Sequence, residues 1–303
     1  MTSITDVPGI RVGHAGDDAA RTGCTVVLGP FRAAADVRGA GTGTRELAAA
    51  SPRHLVERID AILLTGGSAF GLAAADGVMA WLEEQGRGYD TGVARVPIVP
   101  AAVIFDLDTG AADRRPDAAM GRAACEAAGR HVAEGRVGAG TGATVGMGRG
   151  PGQPMPGGVG TASAVGSGYT VGALAVVNAL GDVLDGEGRI IAGVRGSDGA
   201  FLDSARMARE AGSKAPLPGT NTTLCVVATD APLDRTALEA LARAGSTGVA
   251  RRISPAHTPF DGDVVFAVST ADATRPAPPE RILALSALAA QAVAEAIERA
   301  VTG

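Results

Sequence analysis

Glycine constrains this chain more than any other residue type. It fills 44 of 303 positions, where a usual share is about 7%. The glycines crowd residues 135–168, GRVGAGTGATVGMGRGPGQPMPGGVGTASAVGSG. A residue without Cβ belongs where the backbone takes a positive φ or approaches another backbone closely. Flexible linkers of this density are usually polar and serine-rich, whereas here glycine is interleaved with Val, Thr and Met. The segment therefore reads as ordered backbone lining a site. Gly138-x-Gly140-x-x-Ala143 approximates a dinucleotide fingerprint, but Thr144-Val145-Gly146 follows it rather than an amphipathic helix. The single lysine, Lys214, lies elsewhere, so no phosphate loop ending in Gly-Lys-Ser/Thr exists there. No nucleotide cofactor is expected.

The remaining composition narrows the class. A hydrophobic share of 46% with 19% charged residues describes a soluble globular protein, and a net charge of -5 argues against a nucleic-acid partner. Cys24, Cys125 and Cys225 are odd in number and widely spaced, which suggests neither a disulfide framework nor a thiolate zinc site. His14, His54, His131 and His257 form no H-x-H or H-E-x-x-H, so no metal is expected. The start MTSITDVPGIRVGHAG lacks the charged and apolar regions of a signal peptide, and no apolar run is long enough for a membrane span. The expectation is a soluble, cytoplasmic protein without a membrane partner.

Short apolar runs at 10–12, 24–28, 55–64, 169–178, 224–229 and 264–270 predict strands. Helical spacing predicts helices over 69–84, 118–134 and 234–244, and from Pro278-Pro279 to about residue 301. Thr65-Gly66-Gly67-Ser68 then reads as a turn from strand to helix with Ser68 as the N-cap. The turn resembles a nucleophile elbow but misses its second glycine by one residue, and His257 completes a Ser-Asp-His order only in the sense that any distant histidine does. Ser68 fits a capping hydroxyl better than a nucleophile. Strands and helices mix with no regular βαβ beat and no fixed repeat.

The residues 216–230, PLPGTNTTLCVVATD, place Thr220, Asn221, Thr222 and Thr223 between a Pro/Gly turn and an apolar strand. An enzyme that cuts its own chain before a threonine obtains a hydroxyl nucleophile and an α-amine base on one residue. That amine has a reference pKa of about 7.7 to 8.0, which leaves a usable neutral fraction near pH 7. Taken from spacing alone, the same cluster fits a polar strand start making local hydrogen bonds more readily.

Six motifs, in order, reverse that preference: ITDVPGIRVGHA at 4–15, LLTGGSAFGLAAADGVMAWLEE at 63–84, VGAGTGATVG at 137–146, GGVGTAS at 157–163, TNTTLCVVATDAPL at 220–233 and TPFDGDVVFAVST at 258–270. Together they resemble the DmpA family of L-aminopeptidase/D-amidase/D-esterases, β-peptidyl aminopeptidases and nylon-oligomer hydrolases. The resemblance implies an α/β fold of the α+β kind, a four-layer αββα sandwich similar to that of ornithine acetyltransferase. It implies one hydrolase domain over 1–303 that cleaves itself between Asn221 and Thr222, into 1–221 and 222–303. The two pieces are expected to stay together in a homo-oligomer of αβ units. Thr222 matches the nucleophile, Asn178 an asparagine of the oxyanion site, and Asp261 and Asp263 an acidic pair.

Two residues apart on an extended chain, these acids would point to one face, where they can hold the new ammonium and orient the hydroxyl. Asp263 as a solvated strand-start charge and Asn178 as a partner for buried backbone remain alternatives. Ser68 and Met147 are expected at the substrate site. Many relatives carry lysine in the glycine loop, where this chain reads Val145-Gly146-Met147, and Lys214 is the only possible substitute. The expected activity is hydrolysis of small peptides, amides or esters, as an aminopeptidase or amidase without cofactor. An acyltransferase using the same intermediate, or a binding or scaffold protein with an inactive site, are the alternatives.

Overall fold

The computed structural model describes residues 1–146, 152–210, 220–273 and 277–303. Among these, nine strands join in one sheet: β1 (Arg11–Asp17), β2 (Thr22–Val37), β3 (Thr44–Arg45), β4 (Arg58–Thr65), β5 (Ala101–Val103), β6 (Gly158–Gly166), β7 (Tyr169–Asn178), β8 (Thr222–Thr229) and β9 (Val264–Ser269). Their order is β6-β7-β8-β9-β2-β4-β5-β3, and β1 pairs with the first part of β2. Four helices cover it: α1 (Ala74–Glu84), α2 (Ala118–Glu126), α3 (Arg235–Arg252) and α4 (Pro279–Thr302).

The period-two pattern decides how the sheet is layered. Leu224 and Val226 of β8 meet Leu174 and Val176 of β7 in a central core, where Ile62 and Leu64 of β4 face them from the other half of the sheet. The alternate residues Cys225 and Val227 face outward, onto Leu238, Leu241, Val293 and Ile297 of α3 and α4. On the opposite outside, Val26 and Leu63 pack under Ala75, Val78 and Leu82 of α1 and Ala124 of α2. The result is the expected four-layer αββα sandwich. Each large apolar side chain buried this way contributes roughly 1.5–3 kcal/mol.

The strand β2 connects the two halves because it serves both. Residues 24–28 pair with β4 and residues 32–37 with β9, with a register shift between Leu28 and Phe31. Pro30 sits in that interval and offers no N–H to a ladder, so the strand bends there. Helices α1 and α2 touch backbone to backbone: a Cβ on Gly77 would lie 1.7 Å from the Ala118 carbonyl oxygen, and one on Gly121 1.9 Å from that of Ala74.

Several elements differ from the sequence expectation. The helix expected over 118–134 stops at Glu126, and Gly129 instead exchanges both backbone hydrogen bonds with Val12. The helix expected to end near 244 runs on to Arg252, capped at its start by the Asp234 carboxylate accepting from the Ala237 N–H. Ser68 is not an N-cap. Gly67 holds that position with φ 77°, and Ser68, at φ 53°, opens a 3-10 turn, Ser68–Ala73, that precedes α1. No side chain caps this turn; the Asp106 carboxylate receives the Gly67 N–H at 2.7 Å and holds the turn from a distant part of the chain. In the glycine-rich segment, Thr144–Val145 pairs with Met155–Pro156, while Met147 lies outside the described residues, as does Lys214.

Candidate active site

Sheet direction brings the predicted residues together. Strands β8 and β9 run parallel, with Leu224 opposite Val264, so both begin at the same end of the sheet. Strand β7 is antiparallel to β8 and ends there, which makes its last residue, Asn178, the cross-strand partner of Thr222. Asn221 forms a parallel bridge with Asp261. Thr222, Asn178, Asp261 and Asp263, all 1–3% exposed, thus meet at one strand edge.

The uncut Asn221–Thr222 junction is held by two donors. The Thr222 hydroxyl donates to the Asn221 carbonyl oxygen at 2.7 Å, and the Gly262 N–H donates to the same oxygen at 3.0 Å. A Cβ on Gly262 would lie 2.9 Å from the Thr222 Oγ1, so this glycine lets the loop before β9 seat against the hydroxyl. Asn178 ties three backbone segments to the junction. Its Oδ1 accepts the Thr144 N–H at 2.9 Å, and its Nδ2 donates to the carbonyls of Phe105 and Thr220 at 3.2 and 3.3 Å. Thr144 belongs to the glycine-rich segment, which therefore does border the site.

The two acids hold different partners. Asp261 accepts the Thr258 N–H at 2.7 Å, and burial together with the neighbouring Asp263 pushes its carboxyl up to about 6. Asp263 accepts the Thr223 N–H on Oδ1 at 2.7 Å and meets His257 Nδ1 through Oδ2 at 2.8 Å. Burial disfavours a charged imidazole at His257, yet the bonds to Asp263 and to the Ser246 carbonyl outweigh it and hold its pKa above the ordinary value.

The sequence offers His257 only as a remote partner for Ser68; its closeness to Asp263 in the HTPFDGD run is the signal that points to this contact. Ser68 lies at the end of β4, its N–H on the Ile104 carbonyl. It connects to Asn178 only indirectly, through Gly67, Asp106 and the adjacent Phe105. Asp106, also unread in sequence, accepts from Gly67 and from the Thr22 hydroxyl, and burial raises its pKa. Among the described residues no group of three or more His, Cys, Asp or Glu is placed to hold a metal ion.

The αββα sandwich is shared with known structures of the Ntn hydrolase fold. An L-aminopeptidase D-Ala-esterase/amidase from Ochrobactrum anthropi, described as a variant of the Ntn hydrolase fold, superposes with a TM-score of 0.73. The alignment covers 99% of this chain and 85% of that one, at 22% identity. The chain belongs to peptidase family S58, whose sequence model matches residues 2–303. It is 48% identical over 291 residues to an uncharacterized aminopeptidase of Mycobacterium tuberculosis, covering 89% of this chain and 82% of that protein. It is 31% identical over 289 residues to a 6-aminohexanoate-oligomer endohydrolase of an Agromyces species, covering 90% and 76%. Family and fold together define a peptidase with the fold of the Ntn hydrolases. No helix among the described residues is long and apolar enough to cross a membrane.

Proposed function

We propose that Thr222 is the nucleophile, that the chain releases it by cutting the Asn221–Thr222 bond, and that the processed enzyme is an aminopeptidase or amidase for small peptides and amides. The observation that carries this reading is the Asn221 carbonyl oxygen, which receives both the Thr222 hydroxyl and the Gly262 N–H. The hydroxyl is thereby held on the carbonyl group it must attack, and a backbone donor already faces the oxygen where negative charge develops.

Attack forms a C–O bond. Collapse with protonation of the Thr222 nitrogen breaks the C–N bond and leaves an ester, and water hydrolyses that ester to give a carboxylate on Asn221 and a free amine on Thr222. In turnover the same hydroxyl attacks the substrate carbonyl while the amine takes its proton. The amine passes that proton to the leaving amine, and water resolves the acyl-enzyme. Asp261 and Asp263 flank residue 262 at the same strand edge, where negative charge can hold the N-terminal ammonium. Three buried free thiols, Cys24, Cys125 and Cys225, suit the reducing cytoplasm in which we place the enzyme.

Intact mass spectrometry tests the reading. Fragments 1–221 and 222–303 are expected from the wild type, with uncut and inactive Thr222→Ala. A wild-type chain that stays whole after long incubation supports the non-catalytic binding alternative instead.

A further inference from the structure

His257 sits between two acceptors. Its Nε2 lies 3.0 Å from the Ser246 carbonyl oxygen in α3, and a carbonyl oxygen only accepts, so Nε2 carries a hydrogen. Its Nδ1 lies 2.8 Å from Asp263 Oδ2, while Asp263 Oδ1 receives the Thr223 N–H. A neutral ring with its hydrogen on Nε2 would aim a lone pair at the carboxylate. A second proton on the Nδ1–Oδ2 line removes that repulsion and makes the pair an imidazolium and a carboxylate.

The backbone serves the same contact. His257 has φ 56°, in the left-handed region, and its own N–H also points to Asp263 Oδ2 at 3.3 Å. The charged groups facing the ring are Asp261 and Asp263 on its own loop and Arg38 at the end of β2. Arg38 is engaged by Asp36, which also accepts the Ser246 hydroxyl. Cys225 on β8 faces Asp263 as a buried thiol whose pKa burial raises.

We propose that His257 is a positioning residue for the Thr222 site: as an imidazolium clamped between α3 and Asp263, it fixes that carboxylate on the Thr223 N–H at the start of β8 and cancels its charge. Of the two acids beside the freed amine, only Asp261 then acts as uncompensated negative charge. This rests on Thr222 being the nucleophile. Its consequence concerns the general base. An amine facing two uncompensated carboxylates stays protonated to higher pH and is a poorer base near neutrality.

His257→Asn separates charge from shape, because asparagine tolerates the left-handed backbone and keeps an N–H donor for Asp263 but carries no charge. The assay is kcat/KM for an aminoacyl p-nitroanilide across pH 5.5–10. The acid limb should move up by about one pH unit, with activity at pH 6.5 down about tenfold and the two curves meeting above pH 9. An unshifted limb with a uniformly lower plateau reduces His257 to a structural role and overturns the proposal. If Thr222→Ala keeps its activity, the nucleophile assignment fails and this proposal with it. Processed, Thr222-dependent enzyme with an unshifted limb overturns the His257 role alone. Should His257→Asn fail to process, nitrogen NMR of the wild-type histidines decides: a doubly protonated His257 ring at pH 7 is expected, and a neutral one refutes the clamp.

Discussion

Adding one methyl group at Gly262 tests the geometry of the proposed self-cleavage. Gly262 does not occupy the left-handed backbone region, so alanine is conformationally allowed there and the effect is one of contact. The new carbon would stand 2.9 Å from Thr222 Oγ1 and 2.7 Å from the Gly41 carbonyl oxygen. Gly41 cannot easily yield, because its N–H is bonded to the Asp261 carbonyl at 2.9 Å. The hydroxyl therefore moves, and it leaves its 2.7 Å contact with Asn221. Overpacking of this kind costs about 1–3 kcal/mol of stability, while displacing a reacting group by about 1 Å costs roughly 100-fold in rate. Gly262→Ala should thus accumulate uncut chain, with a cleavage half-time about 100-fold longer by intact mass and a modestly lower Tm. Processing at the wild-type rate, in a folded variant, refutes the claim that the Gly262 contact sets the hydroxyl for attack.

Two further substitutions probe the same edge. For Asp261 the folded pKa, about 6, lies above the unfolded value of 3.8, so its contribution to stability is complete below pH 3.8 and is lost as pH rises through 6. Asp261→Asn keeps an acceptor for Thr258, so it should raise stability above pH 7 by on the order of 2–3 kcal/mol in denaturant melts while lowering turnover; no stabilisation would mean that the buried charge carries no such cost. Asn178→Ala strands the Thr144 N–H and two carbonyls, and should cost about 1–3 kcal/mol together with roughly 10²–10³ in kcat. Unchanged kcat in the processed variant would confine Asn178 to holding backbone.

What could be read from the sequence follows from how local each cause is. The strand at 169–178 was legible at both ends because its apolar run is bounded by turns, and it ends on Asn178. The hydroxyl cluster ahead of an apolar run drew attention to Thr222, but its spacing fitted a polar strand start more readily, and the six-motif resemblance singled the residue out. The causes that escaped act across the chain. The turn before α1 is held by Asp106, which takes the Gly67 N–H from 39 residues away, and α2 ends early because Gly129 is claimed by Val12. The proximity of His257 to Asp263 was visible in the sequence, but its meaning depends on the Ser246 carbonyl, which fixes the ring's protonation from another helix. The acids were expected on extended chain just ahead of the strand at 264, and both precede β9; what the sequence did not show is that Gly262 between them bonds Asn221.

The uncut arrangement also explains why cutting and activation would be one event. Thr222 is 3% exposed while residues 220 and 221 remain attached, so no substrate carbonyl can reach its hydroxyl. The same short segment occupies Asn178, whose Nδ2 donates to the Thr220 carbonyl, and it supplies the carbonyl that receives the Gly262 N–H. If the Asn221–Thr222 bond breaks and this segment withdraws, three changes coincide. The hydroxyl gains access, the amine forms next to the two acids, and two N–H donors lose their carbonyl partners beside the nucleophile. A substrate carbonyl entering that space would take the place of the Asn221 carbonyl. The donors that polarise the chain's own peptide bond would then serve the oxyanion of each later turnover, with no new group having to be recruited.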